Sequence, residues 1–290
     1  LSNTEIEEKK IESRKPTDFA LGFHPVNCYS KSLDIDDCLL ATEEMNAVLN
    51  IVRSFCLKYR NELPIYSTRS HTGELRNLVI RQGGNSNELM INLITSNHNK
   101  KLMKKLFHLL YDTLNEKITT FINSTTSAKN TVAVGTKEYI IYGNGFITDT
   151  IHNYKFHISA NSFFQTNTLQ AEELYKLIIN IGKFNKSEIV YDLFCGTGSI
   201  SISISSYCKK ILGIEITESS ISDAKINANI NNTTNCSFIK SDVKNLLNLQ
   251  SKFKDFGLPD VIIIDPPRAG IHIKSLEALL KLFPKKIIYV

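Results

Sequence analysis

The stretch Tyr191-Asp192-Leu193-Phe194-Cys195-Gly196-Thr197-Gly198 decides how this chain folds. An apolar strand pattern ends at Phe194, and two glycines then make a turn that leads into a helix start. Gly196 and Gly198 let the backbone bend, and approach a ligand, where a Cβ would clash. Further strand patterns flank this turn on both sides. They read at Ile189–Phe194, Ile211–Ile216, Ser237–Lys240, Val261–Ile264 and Ile287–Val290. Helical patterns at Leu169–Ile181, Ser219–Asn231, Val243–Phe253 and Lys274–Leu282 separate them. Such alternation predicts a parallel sheet wound on both faces, an α/β fold. Ser199–Ser205 alternates Ser and Ile strictly, which by period alone is a strand. A parallel crossover needs a helix here, so a helix is the expectation.

Before about residue 155 the texture is mixed. Helices are expected at Glu43–Tyr59 and Leu102–Asn115, with strands at Leu75–Arg81, Glu88–Thr95, Thr131–Val134 and Tyr139–Tyr142. Gly83-Gly84-Asn85 and Gly143-Asn144-Gly145 punctuate this region as hairpin turns do. The expected division is an α+β domain over 1–157 and the strand–helix domain over 158–290.

Composition bounds the rest. The chain has 290 residues, 42% apolar and 22% charged, as in soluble globular proteins. No apolar run reaches the roughly 18 residues of a membrane span. The charged segment Leu1–Lys15 has no apolar core, so it does not read as a signal peptide. It also lacks an initiator Met, and the expectation is that numbering starts inside a longer polypeptide. The net charge of +5 permits a polyanionic partner without demanding one. Lys100, Lys101, Lys104 and Lys105 share a helical pattern with Leu102, Leu106, Leu109 and Leu110. They are either a solvated face or an RNA contact. Six scattered cysteines without a CxxC pair speak against a self-contained zinc site and a disulfide framework, and fit a reducing cytoplasm.

In a doubly wound sheet, ligands bind beyond the carboxyl ends of the strands. Glu215 ends the second strand, nineteen residues past Gly196, where a carboxylate can accept both ribose hydroxyl protons. That spacing also suits a dinucleotide fold. Two details oppose it: Ser201 stands where a third glycine would fall, and Asp192 precedes the turn by four positions. The resulting D-x-x-x-G-x-G form is common among binders of S-adenosylmethionine, which has no pyrophosphate to seat. Asp242, after the third strand, is an adenine contact or simply a helix N-cap. Ile264-Asp265-Pro266-Pro267-Arg268-Ala269-Gly270 ends the fourth strand. Its two prolines fix the backbone and remove two amide donors, which suits a shaped loop beside a planar base, or a structural turn.

Phe163-Phe164-Gln165-Thr166-Asn167, then D-L-F-C-G-T-G, then D-P-P-R-A-G, in this order, resembles the RNA uracil-5-methyltransferase family. The bacterial enzymes of 23S ribosomal RNA are the most similar branch. Gly22-Phe23-His24-Pro25 and Leu75-Arg76-Asn77-Leu78-Val79-Ile80-Arg81 also match that family's central domain. The resemblance implies a class I (Rossmann-like) methyltransferase sheet preceded by an α+β RNA-recognition domain, with the chain truncated at both ends and the sheet incomplete at its C-terminus. It implies S-adenosylmethionine as cofactor, with Gln165, Phe194, Glu215, Asp242 and Asp265 as its contacts. Phe163 and Phe164 either stack on RNA bases or are buried in the domain junction. Cys38 matches the fourth ligand of a 4Fe-4S cluster in the ribosomal branch, or is a small core residue. The cluster's other ligands are expected upstream of Leu1.

The implied function is methyl transfer to carbon 5 of a uridine in RNA, giving 5-methyluridine. The first substrate is 23S rRNA and the second tRNA, and a monomeric cytoplasmic protein is implied. The family's nucleophile is a cysteine in an S-C-N-P stretch after the fifth strand, and its general base is a glutamate further on. Neither is matched up to Val290, so no catalytic residue is expected within these 290 residues. Cys195 lies in the cofactor turn, while Cys28, Cys56, Cys208 and Cys236 read as packing residues. Two alternatives are an amino-group methyltransferase, in which an aromatic usually stands where Arg268 does, and a catalytically silent RNA-binding relative.

Overall fold

The computed structural model describes residues 19–26, 31–129, 132–249, 256–268 and 270–290. The chain forms two compact units, Leu1–Arg81 with Met90–Gly143, and Gln82–Leu89 with Asn144–Val290. Cys28 and the segment Leu1–Lys15 lie outside the described residues.

In the first unit, strands β1 (Gly22–Phe23) and β2 (Leu33–Asp34) pair antiparallel. Helix α1 (Glu43–Lys58) starts at Thr42, whose side chain accepts from the Met45 amide. Glu43 and Glu44 in the first turn and Lys58 in the last complement the helix dipole. Its apolar face, Val48, Val52, Phe55 and Cys56, is buried. Strands β3 (Leu75–Gln82) and β4 (Leu89–Thr95) flank the predicted Gly83–Asn85 turn, and every residue of β4 is buried. Helix α2 (Lys100–Leu114) buries Leu102, Met103, Leu106, Leu110 and Leu114 and packs on α1. Leu109 of the expected apolar set is exposed, as are all four lysines. Strands β5 (Ile118–Thr125) and β6 (Lys137–Tyr142) complete a sheet of order β3-β4-β5-β6.

The strand expected at Thr131–Val134 does not form in its described part. The Val134 amide donates to the Val132 carbonyl, so the chain turns there, and both valines are exposed. An alternating apolar pattern makes a strand only where a partner strand covers it. β5 carries a weak strand signal because Thr120, Asn123 and Ser124 interrupt its apolar pattern, and all three are buried.

Gly143 and Gly145 take positive φ, as expected of a turn, yet they make no hairpin. β6 stays in its sheet, and β7 (Phe146–Ile151) pairs antiparallel with β8 (Tyr154–Ser159) in the second unit. The packing boundary after Gly143 therefore precedes the change of sequence texture near residue 155. The β7–β8 hairpin belongs to the second unit because β8 packs on one of that unit's helices.

That unit continues with α3 (Thr168–Gly182), β9 (Ile189–Leu193), α4 (Ser199–Ile204), β10 (Lys210–Glu215), α5 (Glu218–Ile230) and β11 (Cys236–Lys240). A 3-10 helix (Val243–Leu249), β12 (Val261–Ile264), α6 (Ile273–Leu280) and β13 (Lys286–Tyr289) come next. The five strands pair in parallel in the order β11-β10-β9-β12-β13. One face of the sheet, with Tyr191, Leu193, Leu212, Ile214, Ile262 and Ile264, packs on Val243, Leu246, Ala278, Leu279 and Leu282. Alternate residues point to the other face, where α3, α4 and α5 bury Ile178, Ile202 and Ala224. The expected α-helix at Val243–Phe253 is a 3-10 helix where it is described. Val243 and Leu246 are buried three residues apart, the repeat of that tighter helix, and residues 250–255 lie outside the described residues. Ser199–Ile204 is helical as expected, and Ser201 and Ser203 are themselves buried rather than on a wet strand face.

Candidate functional site

The register aligns the carboxyl ends of four strands. Leu193 of β9 lies between Ile214 of β10 and Ile264 of β12, and Glu215 pairs with Lys240 of β11. Phe194, Glu215, Asp242 and Asp265 therefore leave the sheet at one end. The first strand is bracketed by the second and fourth, which makes this end the switch point of the sheet.

The turn after β9 is left-handed at three positions, with φ of 64° at Phe194, 53° at Gly196 and 78° at Gly198. Phe194 carries a side chain in a region that disfavours one. The Phe194 and Cys195 amides both donate to the Ile214 carbonyl, which holds that conformation in place. Open space lies where Gly196 would carry a Cβ, and the nearest atom, the Phe163 carbonyl oxygen, is 3.9 Å away. The Phe163–Asn167 segment thus borders the turn. Gln165 within it is half-buried, and Asn167 caps α3 by accepting from the Gln170 amide. Phe163 is exposed, whereas Phe164 is buried against Phe156 with ring centroids 5.6 Å apart.

Each expected contact has a definite local role. Glu215 accepts from the Gly196 amide at 3.3 Å and from the Ile216 and Thr217 amides at 2.8 and 2.9 Å. It joins the second strand to the glycine turn and to the start of α5. Asp242 accepts from the Lys244 amide at 2.9 Å, so it caps the 3-10 helix. Asp265 is half-buried, and burial raises its pKa. Ala269 of the proline loop lies outside the described residues.

Asp192 joins the site although the sequence marks only its acidity. It is completely buried, and one oxygen, Oδ2, accepts from the Ser201 amide at 3.1 Å and hydroxyl at 2.6 Å. Oδ1 is buried with no protein partner among the described residues. Burial pushes the Asp192 pKa to about 7. The charges of Asp265 and Glu215 add to the rise, against the Ser201 hydrogen bonds. Below the turn the buried Tyr175 hydroxyl lies 2.7 Å from Ser199 Oγ, and burial raises its pKa too.

The buried thiols are inert. Burial holds Cys195 well above the ordinary thiol range, and pushes Cys56, Cys208 and Cys236 up to about 12. All are therefore thiols rather than thiolate nucleophiles at neutral pH. Cys38 is half-buried, and its amide and carbonyl are both bonded to the Asn46 side chain. Among the described residues no group of three or more His, Cys, Asp or Glu side chains could hold a metal ion. Cys38 thus has no set of co-ligands there. Among the same residues no helix is long and apolar enough to cross a membrane.

Parallel strands in this order, a left-handed glycine turn after the first and an acid ending the second define the class I methyltransferase fold. A solved structure shares it: Pyrococcus abyssi tRNA (uracil-54, C5)-methyltransferase in complex with S-adenosyl-L-homocysteine, at TM-score 0.67 and 24% identity. That similarity covers 92% of this chain and 62% of the other. Residues 85–290 match the tRNA (uracil-5-)-methyltransferase family, and the chain belongs to it. An uncharacterized RNA methyltransferase of Chlorobaculum tepidum is 43% identical over all 290 residues, which span 59% of its length. Another, of Bacteroides thetaiotaomicron, is 34% identical over 274 residues, covering 93% of this chain and 59% of the relative. The chain thus spans less than two thirds of these relatives.

Proposed function

We propose that this chain serves the transfer of a methyl group from S-adenosylmethionine to carbon 5 of a uridine in RNA. The substrate is 23S rRNA first and tRNA second, and the route is a cysteine adduct at carbon 6. In this reading residues 1–157 hold RNA and residues 158–290 hold the methyl donor.

The observation that carries it is the acidic end of the sheet, where Asp192, with one buried oxygen lacking a protein partner among the described residues, feels the charges of Asp265 and Glu215. Glu215 and Asp265, with Asp192 gaining charge as it loses its proton, would repel the pyrophosphate of a dinucleotide and favour a ligand bearing a sulfonium and an ammonium. The open space above Gly196 gives such a ligand room against the backbone. When bound, the donor supplies an electrophilic methyl group. In this proposal Glu215 accepts from the ribose hydroxyls, Asp242 contacts the adenine, and Gln165, Phe194 and Asp265 complete the contacts.

Carbon 5 of uracil is a poor nucleophile, so a thiolate must first add to carbon 6 and leave an enolate. Carbon 5 then takes the methyl group as its bond to sulfur breaks and S-adenosylhomocysteine is left; a base removes the carbon 5 proton, and the enolate so formed restores the 5,6 double bond as the thiolate departs. A stacked or paired uridine must first leave its helix, at a cost of a few kcal/mol. The buried Cys195 is unsuited to that attack, since its thiol is held protonated. The nucleophile is assigned to an S-C-N-P cysteine beyond Val290.

A radiolabelled methyl-transfer assay on unmodified RNA tests the proposal. The 290-residue chain is expected to bind the donor weakly and to make no 5-methyluridine. A longer form carrying the S-C-N-P segment should turn over, and replacing that cysteine by alanine should abolish it. Stoichiometric 5-methyluridine from the 290-residue chain would overturn the nucleophile assignment. Methylation mapping of RNA from a deletion strain decides between ribosomal and transfer RNA.

A further inference from the structure

Three side chains, two on one face of α5 and one at its C-cap, do for β8 what a neighbouring strand would do. Asn231 Oδ1 accepts from the Lys155 amide at 2.9 Å, and its Nδ2 donates to the Lys155 carbonyl at 2.7 Å. Asn227 makes the same pair with His157, at 2.6 and 3.2 Å. Asp223 accepts from the Ser159 amide at 2.9 Å. The spacing explains the match. Four residues of helix rise about 6 Å and two residues of strand about 6.6 Å, so positions 223, 227 and 231 meet 159, 157 and 155 in turn.

Asn227 differs from the other two in one respect. Its Nδ2 also donates to the Thr197 carbonyl at 3.1 Å, and the residue is completely buried. Thr197 stands between the two left-handed glycines. The amide of the same peptide unit, that of Gly198, donates to the Cys195 carbonyl at 2.8 Å. The Thr197–Gly198 peptide plane is therefore held at both ends, by Asn227 at its oxygen and by Cys195 at its nitrogen. Gly198 on one side of that plane, with Gly196 just before Thr197, eases a reorientation once one end is released.

We infer that Asn227 is a positioning residue: it sets the orientation of the Thr197–Gly198 peptide and so the shape of the turn that receives the methyl donor. The inference rests on the donor site proposed above. It assigns to the second and third members of the Asp223–Asn227–Asn231 row different duties. Asn231 secures β8 and, through the Asn227 carbonyl at 2.8 Å, the end of its own helix, whereas Asn227 secures β8 and the turn.

Two isosteric variants separate these duties. Asn227→Asp and Asn231→Asp each replace the amide donor by an oxygen and each lose a bond to β8. Only the first also loses the bond to Thr197, while the second also loses its bond to the Asn227 carbonyl. S-adenosylhomocysteine affinity is read by calorimetry, thermal stability by circular dichroism, and backbone amide exchange over residues 194–199 by mass spectrometry. Both variants should melt earlier. N227D should weaken binding at least tenfold and speed exchange in 194–199, while N231D stays within twofold of the parent on both readouts. Equal loss of affinity in the two variants, or unchanged affinity in folded N227D, would overturn the inference. Should N227D fail to fold, Asn227→Ser takes its place with the same thresholds. If the parent chain binds no S-adenosylhomocysteine, the donor-site reading fails instead. Exchange over 194–199 in the ligand-free variants then decides the role of Asn227 by itself.

Discussion

Asp192 and Ser201 form a closed pair in which one carboxylate oxygen takes both the amide and the hydroxyl hydrogen of the serine. Ser201 stands where a dinucleotide fingerprint would carry its third glycine. The residue that breaks that fingerprint is thus the one that anchors the buried acid. The pair also turns the other oxygen, Oδ1, into a buried acceptor with no protein partner among the described residues.

The raised Asp192 pKa has a definite sign. Its folded value of about 7 exceeds the ordinary 3.8, so the folded form holds the proton more tightly. The associated stability is full below about 3.8 and is lost as pH rises through about 7, at about 1.4 kcal/mol per unit of displacement. Ligand-free Asp192→Asn should therefore gain on the parent protein between pH 5.5 and 7.5 in urea denaturation, then run parallel to it. Affinity for cationic S-adenosylmethionine should move oppositely, rising with pH in the parent and flattening in the variant. Identical pH profiles for the two proteins would refute the assignment.

Glu215 binds three backbone amides and is the proposed ribose acceptor. Glu215→Ala is expected to weaken S-adenosylmethionine binding more than tenfold in calorimetry, matching the loss of charge-assisted bonds of roughly 1.5–3 kcal/mol. Glu215→Gln keeps an acceptor and should fall between. An alanine variant with parental affinity would remove Glu215 from the site.

The two glycines should respond differently to alanine. A Cβ at Gly196 meets open space, so Gly196→Ala carries only left-handed backbone strain of about 1–2 kcal/mol while obstructing the ligand. A Cβ at Gly198 falls 2.8 Å from the Phe238 ring and 3.2 Å from Ala224. Gly198→Ala should therefore cost more stability than Gly196→Ala in thermal melts. Gly196→Ala should show the larger loss of affinity for its loss of stability. The reverse order in melts would contradict this geometry.

Cys38 in this chain should carry no iron. A four-iron cluster needs four ligands, and no co-ligand group surrounds Cys38 among the described residues. Iron and acid-labile sulfide measured on purified protein should both be far below stoichiometric, and a stoichiometric cluster would contradict the prediction.

Reading the sequence is easiest where burial is two-sided. Strands β9, β10 and β12 are apolar along almost their whole length because both faces are covered, and such runs stand out from polar flanks. Glu215 and Asp265 are legible because they directly end those strands. Harder to read are elements whose polar residues are buried with tertiary partners. β7 carries Asp149, which is buried and accepts from the Gly84, Asn85 and Ser86 amides and from the Thr168 hydroxyl. Nothing local distinguishes that aspartate from a solvated one. Asp242 has two readings, of which the structure displays the helix-capping bond.

By itself the sequence determined the parallel sheet, the end of it that carries the glycine turn and the acids, and the family. Those arise from periodicity and from motifs that are contiguous in the chain. Only the tertiary structure decided that Asn227 serves β8 and the glycine turn, and that Asp192 is left with an oxygen unmatched among the described residues. Asn227 reaches His157 across 70 residues and Thr197 across 30. A hydrogen bond depends on the positions of both partners to within a few tenths of an ångström. Such positions exist only once the chain has packed.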